Sequence, residues 1–180
     1  MPEIQIRPVL PGDIAELIEL DHSYSSDLVW QMDFKHDRLH GQINIAFRKV
    51  NLPRSVRHEV PRPPRTLADD WQRFSGMLVA AIEEQPVGYI SILLDPITRA
   101  AWIPDLLVNR PLRRQGIGSA LLLSAADWAT TKDSRDMVLE IQPRNGPAIE
   151  MALKLGFEFC GYNDFYYPVN EIGLFFRKSF

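Results

Sequence analysis

Residues 105–121 carry the densest chemical signal in the chain: Asp105-Leu106-Leu107-Val108-Asn109-Arg110-Pro111-Leu112-Arg113-Arg114-Gln115-Gly116-Ile117-Gly118-Ser119-Ala120-Leu121. They read as an apolar strand ending at Val108, a short basic loop, and two glycines that open a helix. From Ile117 to Thr130 the chain is rich in Ala and Leu and has no Gly or Pro after Gly118, as a helix interior requires. A helix start leaves its first N–H groups without intrahelical partners, and the helix dipole is positive there. Such a terminus attracts phosphate. Gly116 and Gly118 keep side chains out of a ligand's way, while Arg113 and Arg114 add positive charge. The chemistry expected of this loop is binding of a pyrophosphate.

Missing residues narrow the choice. A nucleoside-triphosphate loop needs Gly-Lys-Ser/Thr, which the chain lacks. A dinucleotide-binding turn needs a third glycine where Leu121 stands, and it places its first glycine directly after the strand. Here seven residues separate Val108 from Gly116. What remains is Arg113-x-x-Gly116-x-Gly118.

A second block follows, Met137-Val138-Leu139-Glu140-Ile141-Gln142-Pro143-Arg144-Asn145-Gly146-Pro147-Ala148-Ile149-Glu150-Met151-Ala152-Leu153-Lys154-Leu155-Gly156-Phe157. Its short alternating start is a strand. Pro143 to Pro147 is a turn, with Asn145 as helix N-cap and Pro147 in the first turn. Ala148 to Leu155 is helical and closes at Gly156. In their order and spacing the two blocks resemble the GNAT superfamily, the acetyl-CoA-dependent N-acetyltransferases. They cover roughly residues 100–160.

The resemblance implies an α/β fold: one GNAT-like domain over residues 1–180, with a mixed, mostly antiparallel central sheet flanked by helices. Two parallel strands, Trp102–Val108 and Met137–Gln142, would splay apart to admit the pantetheine arm. Pro104 supports this, because proline inside a central strand marks a bulge or lost pairing; its other reading is a strand that merely starts late. The bulge would free the N–H groups of Leu106 and Val108, one of them for the thioester carbonyl. The resemblance assigns acetyl-CoA to Leu106, Leu107, Val108, Arg113, Arg114, Gln115, Gly116, Ile117, Gly118, Ser119 and Asn145.

Acetyl transfer needs a neutral amine, and a carboxylate can take the proton from the ammonium form. Glu140 and Asp105 lie at the expected splay. Glu140 falls inside a central strand and matches the glutamate of Leu-Glu-x-x-Pro-x-Asn, which resembles the proposed base of the ribosomal-protein acetyltransferase branch. Asp105 resembles the acidic residue that other branches carry on the neighbouring strand. The alternative for either is a salt bridge to Arg144 or Arg99. One departure stands out: the tyrosine that relatives place in the short helix, as acid for the departing thiolate, is Ala152 here. Water, or a tyrosine from the Tyr162, Tyr166 and Tyr167 cluster, would replace it. Trp30, Tyr166 and Tyr167 are the candidate contacts for the acceptor, a small-molecule or peptide amine. The tail, with Asn170-Glu171-Ile172 before apolar and aromatic residues, resembles streptothricin-acetyltransferase-like members. The competing reading is an acyl-CoA-binding or interaction domain that has lost turnover.

The remaining elements must position these groups. Ile4–Pro8 reads as a strand, followed by a helix from Asp13 with Ile14, Leu17, Ile18 and His22 on one face. Leu28–Phe34 and Ile43–Val50 alternate like a hairpin, and Asn51–Arg65 is a proline-rich connection; residues 28–65 read as a family-variable insertion. Leu67–Phe74 is a short helix. Gly76–Glu83 and Val87–Leu94 pair across Glu84-Gln85-Pro86, and Glu158–Tyr167 and Glu171–Phe180 close the sheet. Pro61-Arg62-Pro63-Pro64 reads as a rigid spacer in a basic, solvated face.

Composition sets the outer bounds. The chain has 180 residues, 46% of them hydrophobic, and a net charge of −3. One core-forming domain is expected, with no nucleic-acid partner on overall charge. The single Cys160 excludes an intrachain disulfide, in keeping with a reducing cytoplasm. No apolar run reaches membrane-spanning length, and Met1–Arg7 alternates like a strand rather than a leader. His36 and His40 imitate a metal pair at i, i+4 but have no third ligand nearby, so no metal is expected. A monomer and a homodimer both remain open.

Overall fold

The computed structural model describes residues 3–180, so Met1 and Pro2 of the expected first strand lie outside the described residues. The chain runs β1 (Ile4–Pro8), α1 (Asp13–Glu19), β2 (Tyr24–Asp37), β3 (Gln42–His58), α2 (Leu67–Asp70), β4 (Gly76–Ile82), β5 (Gln85–Asp95), β6 (Ala100–Ile103) and β7 (Leu106–Val108). It continues through α3 (Ile117–Thr130), β8 (Asp136–Ile141), α4 (Gly146–Lys154), β9 (Glu158–Tyr167) and β10 (Glu171–Ser179). The sheet has the order β1-β4-β5-β6-β8-β10-β9, with β7 pairing β5. Only β6 and β8 pair in parallel; the other described pairs are antiparallel.

Alternation explains why the sheet is covered on both faces. On β4 and β5, Leu78, Ala80, Ile90 and Ile92 meet Ile117, Leu121, Leu122 and Ala125 of α3 in the main core. Met77, Val79 and Tyr89 point the other way and pack with Ile14 and Leu17 of α1 and Leu67 of α2. Each face is closed by a helix whose apolar stripe fits it. Asp13 holds the first crossover in place: its carboxylate accepts both Arg7 guanidinium nitrogens, at 2.7 and 2.9 Å, and the Leu10 N–H at 2.7 Å.

Four local expectations are corrected. The β2–β3 hairpin is longer than alternation indicated, and β3 runs on to His58 through the segment taken for a connection. Pro53 is accommodated because the register jumps there: Ser26 faces Val56, whereas Leu28 faces Asn51. Residues 52–55 bulge from a two-stranded ribbon, where a missing donor is tolerated. α1 ends at Glu19, so His22 sits beyond it and donates its Nε2–H to the Leu17 carbonyl at 2.8 Å. The Leu67–Phe74 helix is a single α-turn flanked by 3₁₀ turns. The β4–β5 turn is Glu83-Glu84, with both residues at positive φ, which leaves Pro86 inside β5.

The hairpin is fastened to the body near its base. The Trp30 N–H donates to the Pro143 carbonyl at 2.8 Å, and Lys49 pairs with Glu150 of α4 at 2.9 Å. A Cβ at Gly146 would lie 2.4 Å from Leu28 Cδ1, so only glycine lets the ribbon lie against the start of α4.

Candidate active site

Pro104 breaks one long strand into β6 and β7. Before the break, Ala100–Ile103 pair with Asp136–Leu139 of β8. After it, Leu106–Val108 pair only with β5. β8 continues through Glu140 and Ile141 paired only to β10. The sheet therefore opens between β7 and β8. Ser91 donates its N–H to the Asp105 carbonyl, and Asn109 donates its own to Val87. In that antiparallel ladder Leu107 exchanges bonds with Tyr89, so the N–H groups of Leu106 and Val108 face the opening.

The other wall of the opening is the start of α3. Gly116 has φ +88°, a conformation that favours glycine, and no side chain caps the helix. The first intrahelical bond is Ala120 N–H to Gly116 C=O, so Ile117, Gly118 and Ser119 keep unbonded N–H groups. The cleft they border has a volume of about 1000 Å³. Leu106, Leu107, Val108, Arg113, Arg114, Gly116, Ile117, Gly118, Ser119 and Asn145 all line it. Asn145 also caps α4 through Oδ1, which accepts the Ala148 N–H at 3.2 Å.

Two expected phosphate contacts are placed differently. The Arg113 guanidinium donates to the carbonyls of Val108 (2.7 Å), Ser23 (2.6 Å) and Asp21 (2.8 Å). Its fork ties the loop to the segment after α1, and burial lowers its pKa. The Gln115 side chain is exposed and turned back toward the Pro111 carbonyl, outside the cleft lining. Arg110 and Arg114 are the other loop cations on the cleft, and Arg110 pairs with Asp21 at 3.5 Å.

Asp105 and Glu140 come together across the splay, joined by Arg62, which was expected on a solvated face and instead lines the cleft. Arg62 donates to Asp105 Oδ1 at 3.1 Å, to the Pro104 carbonyl at 2.9 Å and to Glu140 Oε2 at 3.0 Å. The expected alternatives do not form: Arg144 pairs with Glu171, and Arg99 with Asp133. Burial by itself would lower the Arg62 pKa. The charges of Asp105 and Glu140 outweigh it and hold the guanidinium above its ordinary value. Ser91 Oγ occupies the second Asp105 oxygen at 3.0 Å. The Glu140 side chain is only 5% exposed, against 22% for Asp105.

The aromatic candidates separate. Tyr167 lines the cleft and lies under the Arg62 guanidinium, 6.0 Å from ring centre to carbon. Burial first, then the Glu140 charge, push its phenol up, so it stays protonated at neutral pH. Tyr166 packs edge-on against Tyr167 and Phe175 rather than lining the cleft; burial and then Glu140 push its phenol up too. Trp30 is not at the cleft. It borders a separate shallow depression with Pro143, Arg144 and Glu171. The β2 register turns it toward the fastened base of the ribbon. Ala152 is fully buried in the main core and could not carry an acid into the cleft. Tyr24 and Tyr89 do line it, and Tyr24 donates to Gln142 Oε1 at 2.9 Å. Sequence spacing held no signal for either.

Residues 45–157 match the model of the Acetyltransferase (GNAT) family. The chain belongs to the GNAT family. A streptothricin acetyltransferase of Streptomyces lavendulae is 24% identical over 168 residues, spanning 91% of this GNAT chain and 86% of the relative. The crystal structure of a nourseothricin acetyltransferase superposes with a TM-score of 0.81 at 22% identity, covering 98% of each chain. A Bacillus anthracis str. Ames protein assigned to the streptothricin acetyltransferases, in complex with acetyl coenzyme A, gives 0.75 at 20% identity, covering 99% of this chain and 100% of its own. The single α/β domain with its parallel β6–β8 pair is thus a GNAT fold. Among the described residues, no helix is long and apolar enough to cross a membrane.

Proposed function

We propose that this acetyltransferase moves acetyl from acetyl-CoA to a primary amine of a small molecule or peptide by direct attack. The observation that carries the reading is one cleft that joins an uncapped helix start to a paired carboxylate site across a splayed sheet. Acetyl-CoA brings a thioester-activated acetyl group. The free N–H groups of Ile117, Gly118 and Ser119, with Arg114 nearby, suit its pyrophosphate. Those of Leu106 and Val108 suit its pantetheine and thioester carbonyl. That a Bacillus anthracis relative of the same fold was solved in complex with acetyl coenzyme A supports this choice of ligand.

Glu140 is the favoured base and Asp105 its partner. A lysine-like ammonium, with a pKa of about 10.4, must lose a proton before it can attack. Glu140 holds one oxygen on Arg62, and both Asp105 oxygens are engaged. Transfer then forms a C–N bond, breaks the C–S bond and yields an amide and CoA thiol. Tyr167, protonated beside Glu140, lies in the cleft as a proton donor to the thiolate and as an apolar wall for the acceptor. Cys160 is exposed on β9 and outside the cleft, so no covalent acetyl-enzyme is invoked.

The test is thiol release from acetyl-CoA with a panel of primary amines, including lysine-bearing peptides and the streptothricin class named by the relatives. Amine-dependent release with one acetyl per acceptor is expected. A specific observation favours a second reading, an acyl-CoA-binding domain without turnover: the buried Ala152 at the usual acid position. Tight acetyl-CoA binding with no amine-stimulated release would establish it instead.

A further inference from the structure

Arg62 lies outside both sequence motifs, yet it occupies the centre of the acceptor side of the cleft. It sits on a strap after β3 in which Val60, Pro61, Arg62, Pro63 and Pro64 all line the cleft. Prolines on both sides fix the backbone, so the strap presents the guanidinium from a stiff support. The fork reaches both lips of the splay. Among the described residues no other cation pairs with Asp105 or Glu140. Two carboxylates and one guanidinium leave this wall with a net charge of −1. The neighbouring phenols of Tyr166 and Tyr167 are held neutral.

We propose that Arg62 sets the charge of the acceptor subsite. By neutralising one of two carboxylates, it fits the cleft to an acceptor whose reacting end brings one positive charge, and it disfavours an end that brings two. A second cation close to the first would meet the guanidinium instead of a carboxylate. This inference rests on the reading that the acceptor is an amine.

Pentylamine and 1,5-diaminopentane share a chain length and differ by one charge near neutral pH. Both are assayed by thiol release at saturating acetyl-CoA and by calorimetric titration into the protein with CoA present. Wild type is compared with Arg62→Met, which keeps the side-chain reach and removes the charge, and with Arg62→Lys, which keeps the charge. In Arg62→Met the diamine-to-monoamine ratio of kcat/KM rises about fivefold, the scale of one partly exposed charge pair. Arg62→Lys keeps the wild-type ratio, and the KM for acetyl-CoA is unchanged in both. A purely structural strut would depress both amines alike and leave the ratio fixed. An unchanged ratio in folded Arg62→Met, or an equal shift in Arg62→Lys, overturns the proposal. Arg62→Gln replaces Arg62→Met if the latter fails to fold. If wild type releases thiol with neither amine, the titration ratio alone decides charge selection, and the transfer reading fails only if the wider amine panel is also inert. A titration ratio unaltered by loss of the charge, or no binding of either amine to any variant, counts against it.

Discussion

Gly118 offers the sharpest separation of ligand binding from folding. Its backbone is not in the left-handed region, unlike Gly116 at φ +88°. A Cβ built on it meets Met151 Sδ at 3.4 Å and Val108 Cγ2 at 3.8 Å, which are ordinary contacts. Gly118→Ala should therefore fold normally, and helix propensity favours it by up to about 1 kcal/mol. Gly118→Val adds an isopropyl group, two methyls more than alanine, on a cleft-lining residue whose own N–H is unbonded. Displacing a pyrophosphate from one charge-assisted N–H bond costs roughly 1.5–3 kcal/mol. At about 1.4 kcal/mol per decade, acetyl-CoA affinity should fall at least about tenfold. Calorimetric titration of acetyl-CoA, with melting temperatures as a folding control, measures this. A folded Gly118→Val protein that binds acetyl-CoA as tightly as wild type would refute the assignment of the pyrophosphate to the α3 terminus.

Two further outcomes follow from the carboxylates. Glu140→Gln should keep acetyl-CoA affinity and lower turnover about a hundredfold near neutral pH, with the deficit shrinking as rising pH deprotonates the amine unaided. Steady-state rates across pH check it, and a larger loss in Asp105→Asn would move the base to Asp105. Asp13 governs acid stability instead. The Arg7 hydrogen bond, opposed by burial and aided by the Leu10 N–H, holds its carboxyl below the ordinary range. Its stabilisation is complete above the unfolded value of about 3.9 and is lost as pH falls through the lower folded value. The melting-temperature gap between wild type and Asp13→Asn should be open at pH 7 and close below about pH 4; a gap constant across that range would contradict the linkage.

Elements were legible where a backbone constraint forces a residue type. Gly116 marks the left-handed entry to α3, Asn145 caps α4, and Pro104 divides β6 from β7. Each leaves a trace in sequence because few residues satisfy its geometry. The β2–β3 ribbon was misjudged for the opposite reason. Its long edges are solvated, so no strict alternation limits its length, and Pro53 in a bulge imitates the end of a strand. Trp30 was expected at the acceptor site because aromatic chemistry suits a cation, but only pairing register determines which way such a side chain points. His22 was placed on α1 by helical spacing, although the helix stops three residues earlier.

The two halves of the cleft are built from different materials, and this explains why one was readable and the other was not. The expected cofactor side consists largely of backbone: unbonded N–H groups at one helix start and along one broken strand, all within residues 106–119. Such a site needs particular local conformations, and local conformations demand particular local residues. The acceptor side consists of side chains brought from remote positions. Arg62 meets Asp105 across 43 residues and Glu140 across 78. Its flanking prolines stiffen Arg62, but nothing in the local sequence says that it, and not Arg54, Arg57 or Arg65, joins the carboxylates. Its role is fixed only by where the sheet opens. The strap also carries no ladder hydrogen bonds that the main sheet requires. On the proposed role of Arg62, substitutions there would change which charge the acceptor must bring while the α3 terminus and the β6–β8 pair stay as they are.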